Sequence, residues 1–286
     1  MSLQIRTRQA LSLPYQMHVI PHLRPKKSLG QNFLRDENIS RKIVAAVAAR
    51  PTDVVLEVGP GEGALTKYLA QRVHKLIVVD IDARVTKRMH EMYPGEEVEI
   101  LNKDFLTIDL ADIAQRHQRR LRIVGNILYN ITSPILFRVL DQHYAIADAT
   151  LMMQREVARR IVASPHTKDY GILAVFCQLF ADVKLLFDVS PDAFYPKPKV
   201  TSSLVRLTML AVPRFTLADE QFFRRMVRSI FGKRRKTLRN SLAYFTDEEG
   251  IAVQTRLADI DLQQRPENLT LEELVHLSNV LRTAGT

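Results

Sequence analysis

Three apolar stretches in this chain each run into residues able to hold a nucleoside. Asp53–Val58 leads into Gly59-Pro60-Gly61-Glu62-Gly63, Lys75–Asp80 ends in an acid, and Val98–Leu101 is followed by Lys103-Asp104. Glycines after a strand let the backbone turn tightly and let a ligand approach the main chain, which makes Gly59 and Gly61 candidate contacts. Asp80 lies 21 residues beyond Gly59, where an acid binds the two ribose hydroxyls of a nucleoside cofactor. Asp104 is placed to accept from an adenine amine. Taken singly, each feature is an ordinary turn glycine or helix cap. Three in register at successive strand ends indicate a nucleoside-containing cofactor. Glu57 and Glu62 would repel a pyrophosphate seated at a helix N-terminus. They suit a sulfonium and its amino group, which favours S-adenosylmethionine over a nicotinamide dinucleotide.

A second constellation, Gly125-Asn126-Ile127-Leu128-Tyr129-Asn130, follows the stretch Leu121–Val124. At the carboxyl edge of a doubly wound sheet such a loop lies beside the cofactor. The Asn126 amide oxygen can accept from an exocyclic N6–H, the Ile127 carbonyl can accept a second hydrogen bond, and the Tyr129 ring offers a stacking surface. The amine of adenine is a poor nucleophile because its lone pair is delocalised into the ring. Positive charge develops on nitrogen as a methyl arrives, and fixed oxygen dipoles stabilise that charge and align the lone pair. No strong general base is required, since the methylated cation loses its proton readily. The proline-stiffened loop Phe194–Val200 adds a second ring, Phe194, able to cover the other face of a flipped-out base. The plainer readings are that Asn126 caps a helix, Tyr129 is core, and the loop only joins two strands.

The elements that must position these groups alternate from about residue 38 to 210. Helical patterns fall at 38–50, 64–73, 83–92, 131–142 and from 154 to about 163, between the apolar stretches named above and a fifth at Ala149–Met153. Strands alternating with helices predict an α/β fold with a parallel sheet covered on both faces. Val175–Val189 and Val200–Met209 are rich in β-branched and aromatic residues and are expected to close the sheet as an antiparallel pair. After Pro213 the pattern becomes helical, at 217–243 and 272–283. The chain therefore divides into an N-terminal extension (1–25), a catalytic domain (26–212) and a small all-helical domain (213–286).

The 286 residues are 46% hydrophobic and 25% charged, the balance of a globular protein, with a net charge of +10. Residues 221–246 hold eight Lys/Arg and no acid, while the part from Pro213 onward is nearly balanced, at 12 against 10. A run this dense and acid-free points to phosphate. Arg228, Lys233, Arg234, Arg235, Lys236 and Arg239 are the expected RNA contacts, with Lys26 and Lys27 adding charge at the start of the catalytic domain. Phe222, Phe223, Met226, Val227, Ile230 and Phe231 form an apolar stripe, with the arginines expected on another face. The single cysteine, Cys177, excludes an internal disulfide and a cysteine-based metal site. No metal, no membrane span, a cytoplasmic setting and a monomer are expected.

Together these motifs resemble the KsgA family of ribosomal RNA adenine dimethyltransferases over about residues 26–286. The resemblance rests on Lys27–Leu34 (KSLGQNFL), Leu56–Gly63, Asp80-Ile81-Asp82, Lys103-Asp104-Phe105, Asn126–Tyr129, Ala193–Ser202 and Arg234–Asn240. It implies a Rossmann-like class I methyltransferase sheet with a small C-terminal helical domain. It also implies cofactor contacts from Asn32, Leu34, Gly59, Asp80 and Asp104, with Asn126 where cofactor and target amine meet. The implied reaction adds two methyls to each of two adjacent adenines near the 3′ end of small-subunit rRNA in a pre-30S particle. Two positions depart from the family pattern: Asp80 stands where glutamate is usual, and Leu128 where Asn-Leu-Pro-Tyr has proline. Leucine frees φ and restores an N–H, so a less preorganised loop is expected. Three other readings stand open: a large-subunit rRNA methyltransferase of the erythromycin-resistance type, a non-catalytic assembly or mitochondrial-type transcription factor, and a nicotinamide oxidoreductase.

Overall fold

The apolar stretches pair into one seven-stranded sheet, with a two-stranded ribbon beside it. The computed structural model describes residues 22–233, 235–250 and 260–284. Its strands are β1 (Phe33–Leu34), β2 (Val54–Val58), β3 (Lys75–Asp80), β4 (Val98–Asn102), β5 (Leu121–Asn126), β6 (Ile146–Gln154), β7 (Ala181–Val189), β8 (Phe194–Tyr195) and β9 (Ser202–Met209). The sheet order is β4-β3-β2-β5-β6-β9-β7, and the ribbon is β1-β8. β2 to β6 run parallel, while β9 inserts antiparallel between β6 and β7.

The central strands are continuous apolar runs because helices cover both faces. Alternate side chains then serve two cores. Val54, Leu56, Val58, Ile77 and Val79 face one apolar cluster, and Val55, Leu76 and Val78 face the other. Strand order reverses between β2 and β5, the position where open α/β sheets leave a crevice at their carboxyl ends. Gly125 makes that junction close. A Cβ there would stand 2.6 Å from the Val58 carbonyl oxygen and 3.2 Å from the Val58 Cβ. β5 and β2 therefore approach more tightly than any side chain at 125 permits.

Several elements differ from the sequence expectation: the helix expected at 64–73 is regular only over Thr66–Leu69, and the helix Leu110–Arg116 was not expected. Val175–Phe180 belongs to a helix, Ile172–Phe180, and the strand begins only at Ala181. The run is almost entirely apolar because most of the helix is buried, and periodicity does not separate such a helix from a buried strand. The expected helix at 217–243 is two helices, Glu220–Gly232 and Leu238–Glu249. Gly232 ends the first, and Thr237 caps the second by accepting from the Asn240 N–H. The apolar stripe from Phe222 to Phe231 is buried as expected, in the same cluster as Phe176 and Ile135 from the sheet-covering helices. Residues 1–21 lie outside the described residues. Residues 22–25, read from sequence as part of the extension, are bonded to the domain: the Leu23 N–H donates to Glu62 (2.8 Å) and the Arg24 carbonyl accepts from Arg84 (3.0 Å).

Gly125→Ala is expected to push β5 from β2 and to lower stability by about 1–3 kcal/mol. Urea unfolding of both proteins measures this; an unchanged midpoint would show that the junction has slack.

Candidate active site

The carboxyl ends of β2, β3 and β5 and the turn after β4 open onto a single cleft of about 880 Å³. Of the residues singled out in the sequence, Asn32, Leu34, Gly59, Gly61, Asp80, Asp104 and Asn126 all line it, with Glu57 and Glu62. Phe33, Ile127, Leu128, Ile131 and Ile135 supply much of the apolar remainder.

The glycine turn is shaped for close approach. Gly59 and Gly61 have φ of +68° and +56°, values that favour glycine, and a Cβ on Gly61 would lie 2.9 Å from the Phe33 ring. The Gly59 N–H donates to the Val79 carbonyl (2.9 Å), which ties the turn to β3.

Two carboxyl groups set the electrostatics. Glu57 is 1% exposed and accepts from the Thr66 hydroxyl (2.7 Å). Burial pushes its pKa up to about 7, and the charge on Asp80 adds to the rise. Burial likewise raises Asp80 to about 6, against the Asp82 N–H, which donates to an Asp80 oxygen (2.8 Å). Asp104 both lines the cleft and caps the turn Phe105–Thr107, accepting from the Leu106 N–H (2.9 Å). The capping and cleft-lining readings of Asp104 are thus compatible.

The N-terminal segment closes the cleft. Asp82, which sequence reading passed over except as part of a motif, is its anchor. Buried to 3% exposure, it accepts from Lys26 Nζ (3.2 Å), Gln31 Nε2 (3.1 Å) and Arg84 Nη2 (2.6 Å). The Arg84 guanidinium and these donors hold its carboxyl far below the usual carboxylate range. Lys26 pairs with Asp82 while its side chain stays 46% exposed, and Lys27 is exposed. Glu62 is likewise engaged, by the His22 ring (3.1 Å) and the Leu23 N–H. Asn126 Nδ2 donates to the Asn32 carbonyl (3.0 Å), so its amide oxygen is turned away from that contact and left to accept.

Leu128 has φ −62° and ψ 133°, a φ that proline itself adopts. The neighbouring Ile127 N–H donates to the Met152 carbonyl (3.2 Å), and the Leu128 carbonyl accepts from the Ile131 N–H (3.2 Å). Leucine at 128 thus takes a backbone conformation that proline would also take. Tyr129 and Phe194 are not among the cleft-lining residues. The Tyr129 hydroxyl is paired with the Ser202 hydroxyl (2.7 Å), and Phe194 is 5% exposed, in the apolar cluster beside Leu34, its partner in the ribbon.

The basic run of the helical part does not present one face. Arg224 is 3% exposed and bonded to Asp141 (2.7 Å) and Glu220 (2.9 Å), while Arg225 pairs with Glu249 (2.7 Å). The helix turns Arg224 inward against Phe176 and Phe180, with its guanidinium 5.4 and 5.0 Å from their ring centres. Arg228, Lys233, Arg235, Lys236 and Arg239 are exposed, and Arg234 lies outside the described residues. Among the described residues there is no group of His, Cys, Asp or Glu that could hold a metal, and no helix long and apolar enough to cross a membrane.

Comparison with known proteins agrees with this geometry. The family described as ribosomal RNA adenine dimethylase matches residues 22–283. A ribosomal RNA small subunit methyltransferase A from Chlorobium phaeobacteroides (strain BS1) is 46% identical over 259 residues, covering 90% of this chain and 94% of its own. Its counterpart from Geobacter metallireducens is 41% identical, covering 92% and 98%. Among solved structures, a dimethyladenosine transferase from Plasmodium falciparum superposes with a TM-score of 0.70 at 25% identity, covering 87% of this chain and 96% of its own. The 23S rRNA methyltransferase ErmE gives 0.61 at 31% identity, covering 86% and 100%.

The raised carboxyl groups predict an inverted pH dependence of stability. Between their ordinary pKa values near 4 and their folded values of about 7 and 6, the native state holds protons that the unfolded chain has released. Their contribution favours folding at low pH and is lost as pH rises through 6 to 7. Glu57→Gln should flatten this slope in urea unfolding between pH 4.5 and 8; an identical slope in the variant would remove Glu57 as its source.

Proposed function

The chain belongs to the ribosomal RNA adenine dimethylase family, and from this premise we propose that it methylates N6 of two adjacent adenosines near the 3′ end of small-subunit rRNA, using S-adenosylmethionine and acting on a pre-30S particle. The single observation that carries the reading is the convergence of Asp80, Asp104 and Asn126 on one cleft beside a close-approach glycine turn.

The residues present fit that cofactor. Glycines at 59 and 61 keep the turn free of side chains beside the cleft, the acids Glu57 and Asp80 gain from a cation, and apolar side chains wall the remainder. Asp80 would accept from the ribose hydroxyls and Asp104 from the adenine amine of the cofactor, while Glu57, ionised by the approach of positive charge, offsets it. When bound, S-adenosylmethionine supplies an electrophilic methyl group on a sulfonium.

The chain's own groups then act on the target amine. Asn126, fixed through its amide N–H on the Asn32 carbonyl, accepts an N6–H with its oxygen. The Ile127 carbonyl is the second acceptor. Both dipoles are in place before charge develops on nitrogen, so no reorganisation is needed at the moment of transfer. Tyr129 and Phe194 are assigned to the faces of the base. Tyr129 follows the cleft-lining Leu128 in the chain, and Phe194 pairs with the cleft-lining Leu34 in the ribbon. Residues 213–286 are assigned to gripping RNA, through Arg228, Lys233, Arg235, Lys236 and Arg239, together with Arg234, and Lys26 and Lys27 add contacts from the start of the catalytic domain.

Asn126→Ala is expected to lower kcat for methylation of immature small subunits by about 10²–10³-fold, while cofactor affinity changes little. Single-turnover transfer from labelled cofactor and calorimetry separate the two. Unchanged turnover would remove the assigned role of Asn126.

A further inference from the structure

Outside the cleft, an open, strongly charged concavity lies where β6 ends. It spans about 1190 Å³ between the start of the helix Arg155–Ile161, the loop at 168–169 and the loop at 199–201. Arg155, Arg159, Lys168 and Lys199 line it with only Glu156 and Asp169 as acids, so cations are in excess. Arg159, Lys168 and Lys199 are exposed, and Arg155 is 46% exposed with a distant ion pair to Asp188 (3.8 Å).

The groove is joined to the reaction site through the sheet. Gln154, in its wall, pairs in register with Ser202, and the Arg155 N–H donates to the Thr201 carbonyl (3.0 Å). The Ser202 hydroxyl is the partner of Tyr129. Asn126 pairs with Met152, two residues before Gln154 on the same strand. A strand of RNA whose base is held at Asn126 and Tyr129 must send its backbone away across a neighbouring surface, and this groove, at the end of the strand that pairs with Asn126, is concave and cationic.

We propose that this groove binds the phosphodiester backbone of the RNA strand that carries the target adenosine, on one side of the modified base. The inference rests on the function proposed above. It places phosphate contacts on the catalytic part of the chain, in addition to those assigned to the helical part. Contacts of this kind fix register and orientation without reading sequence. Arg159 and Lys199, exposed on two of the three segments that line the groove, are placed to meet phosphate.

The test compares two double charge reversals. Arg159→Glu with Lys199→Glu alters the groove. Arg72→Glu with Arg119→Glu changes net charge equally at exposed positions that precede β3 and β5, on the opposite edge of the sheet. Binding of an oligoribonucleotide spanning the target adenosines is measured across a salt series, with cofactor affinity as the check on folding. The groove variant should bind about tenfold more weakly, with a salt slope shallower by about 1.4. Its cofactor affinity should be unchanged, and turnover at saturating RNA should be near wild type. The control should lose much less. Equal weakening of both variants, or none in the groove variant, overturns the groove while leaving the methyltransferase reading intact. A wild-type protein that neither binds nor methylates immature small subunits overturns both.

Discussion

Burial of acid at the carboxyl edge of a parallel sheet is the constraint on which the site depends. β2 and β3 are covered on both faces, so Glu57 near the end of β2 and Asp80 at the end of β3 lose water, a loss that the Thr66 hydroxyl at Glu57 and the Asp82 N–H and Arg84 charge at Asp80 offset only in part. The result is a pair of carboxyl groups that hold protons near neutrality and gain free energy from a positive ligand. Asp82, two residues beyond Asp80, has the opposite fate. Surrounded by Lys26, Gln31 and Arg84, it stays ionised and organises structure. Environment alone separates the neighbouring acids into one poised for a ligand and one that serves as an anchor.

That anchor makes the cleft a joint product of the sheet and the N-terminal segment. Asp82 holds residues 26 and 31, Glu62 holds 22 and 23, and Asn126 holds 32, so the segment crosses the cofactor side of the cleft with several fixed points. The Asn126 contact has a further consequence. The same side chain that is assigned to the target amine also fixes a cofactor-lining residue, which couples the order of the two binding sites. Gly125, just before it, lets β5 approach β2 closely enough for this loop to reach the cleft.

Much of this was legible in the sequence because strand ends punctuate it. Gly59, Asp80, Asp104 and Asn126 stand at the ends of apolar runs, and a parallel sheet brings such ends together whatever lies between them. Asp82, Gln31 and the His22–Glu62 contact were not legible, because long-range polar partners leave no periodic trace. The helix Ile172–Phe180 was misread as strand because a mostly buried helix has little polar face to show. Counting charge along 221–246 identified a basic region and overstated its face. Arg224 and Arg225 have acidic partners far away in sequence or beyond the window, at Asp141 and Glu249. The groove at Arg159 and Lys199 escaped notice because its cations come from three separated segments.

The claim that buried, proton-holding carboxyl groups receive a sulfonium is tested most directly by proton linkage. Calorimetry of S-adenosylmethionine binding at pH 6.5, in buffers of different ionisation enthalpy, reads the protons released on binding. The account predicts net release at pH 6.5 that is abolished in Glu57→Gln combined with Asp80→Asn, and that fades in the wild type by pH 8.5 as both groups ionise before binding. Binding at pH 6.5 with no proton release, or with uptake, would contradict it.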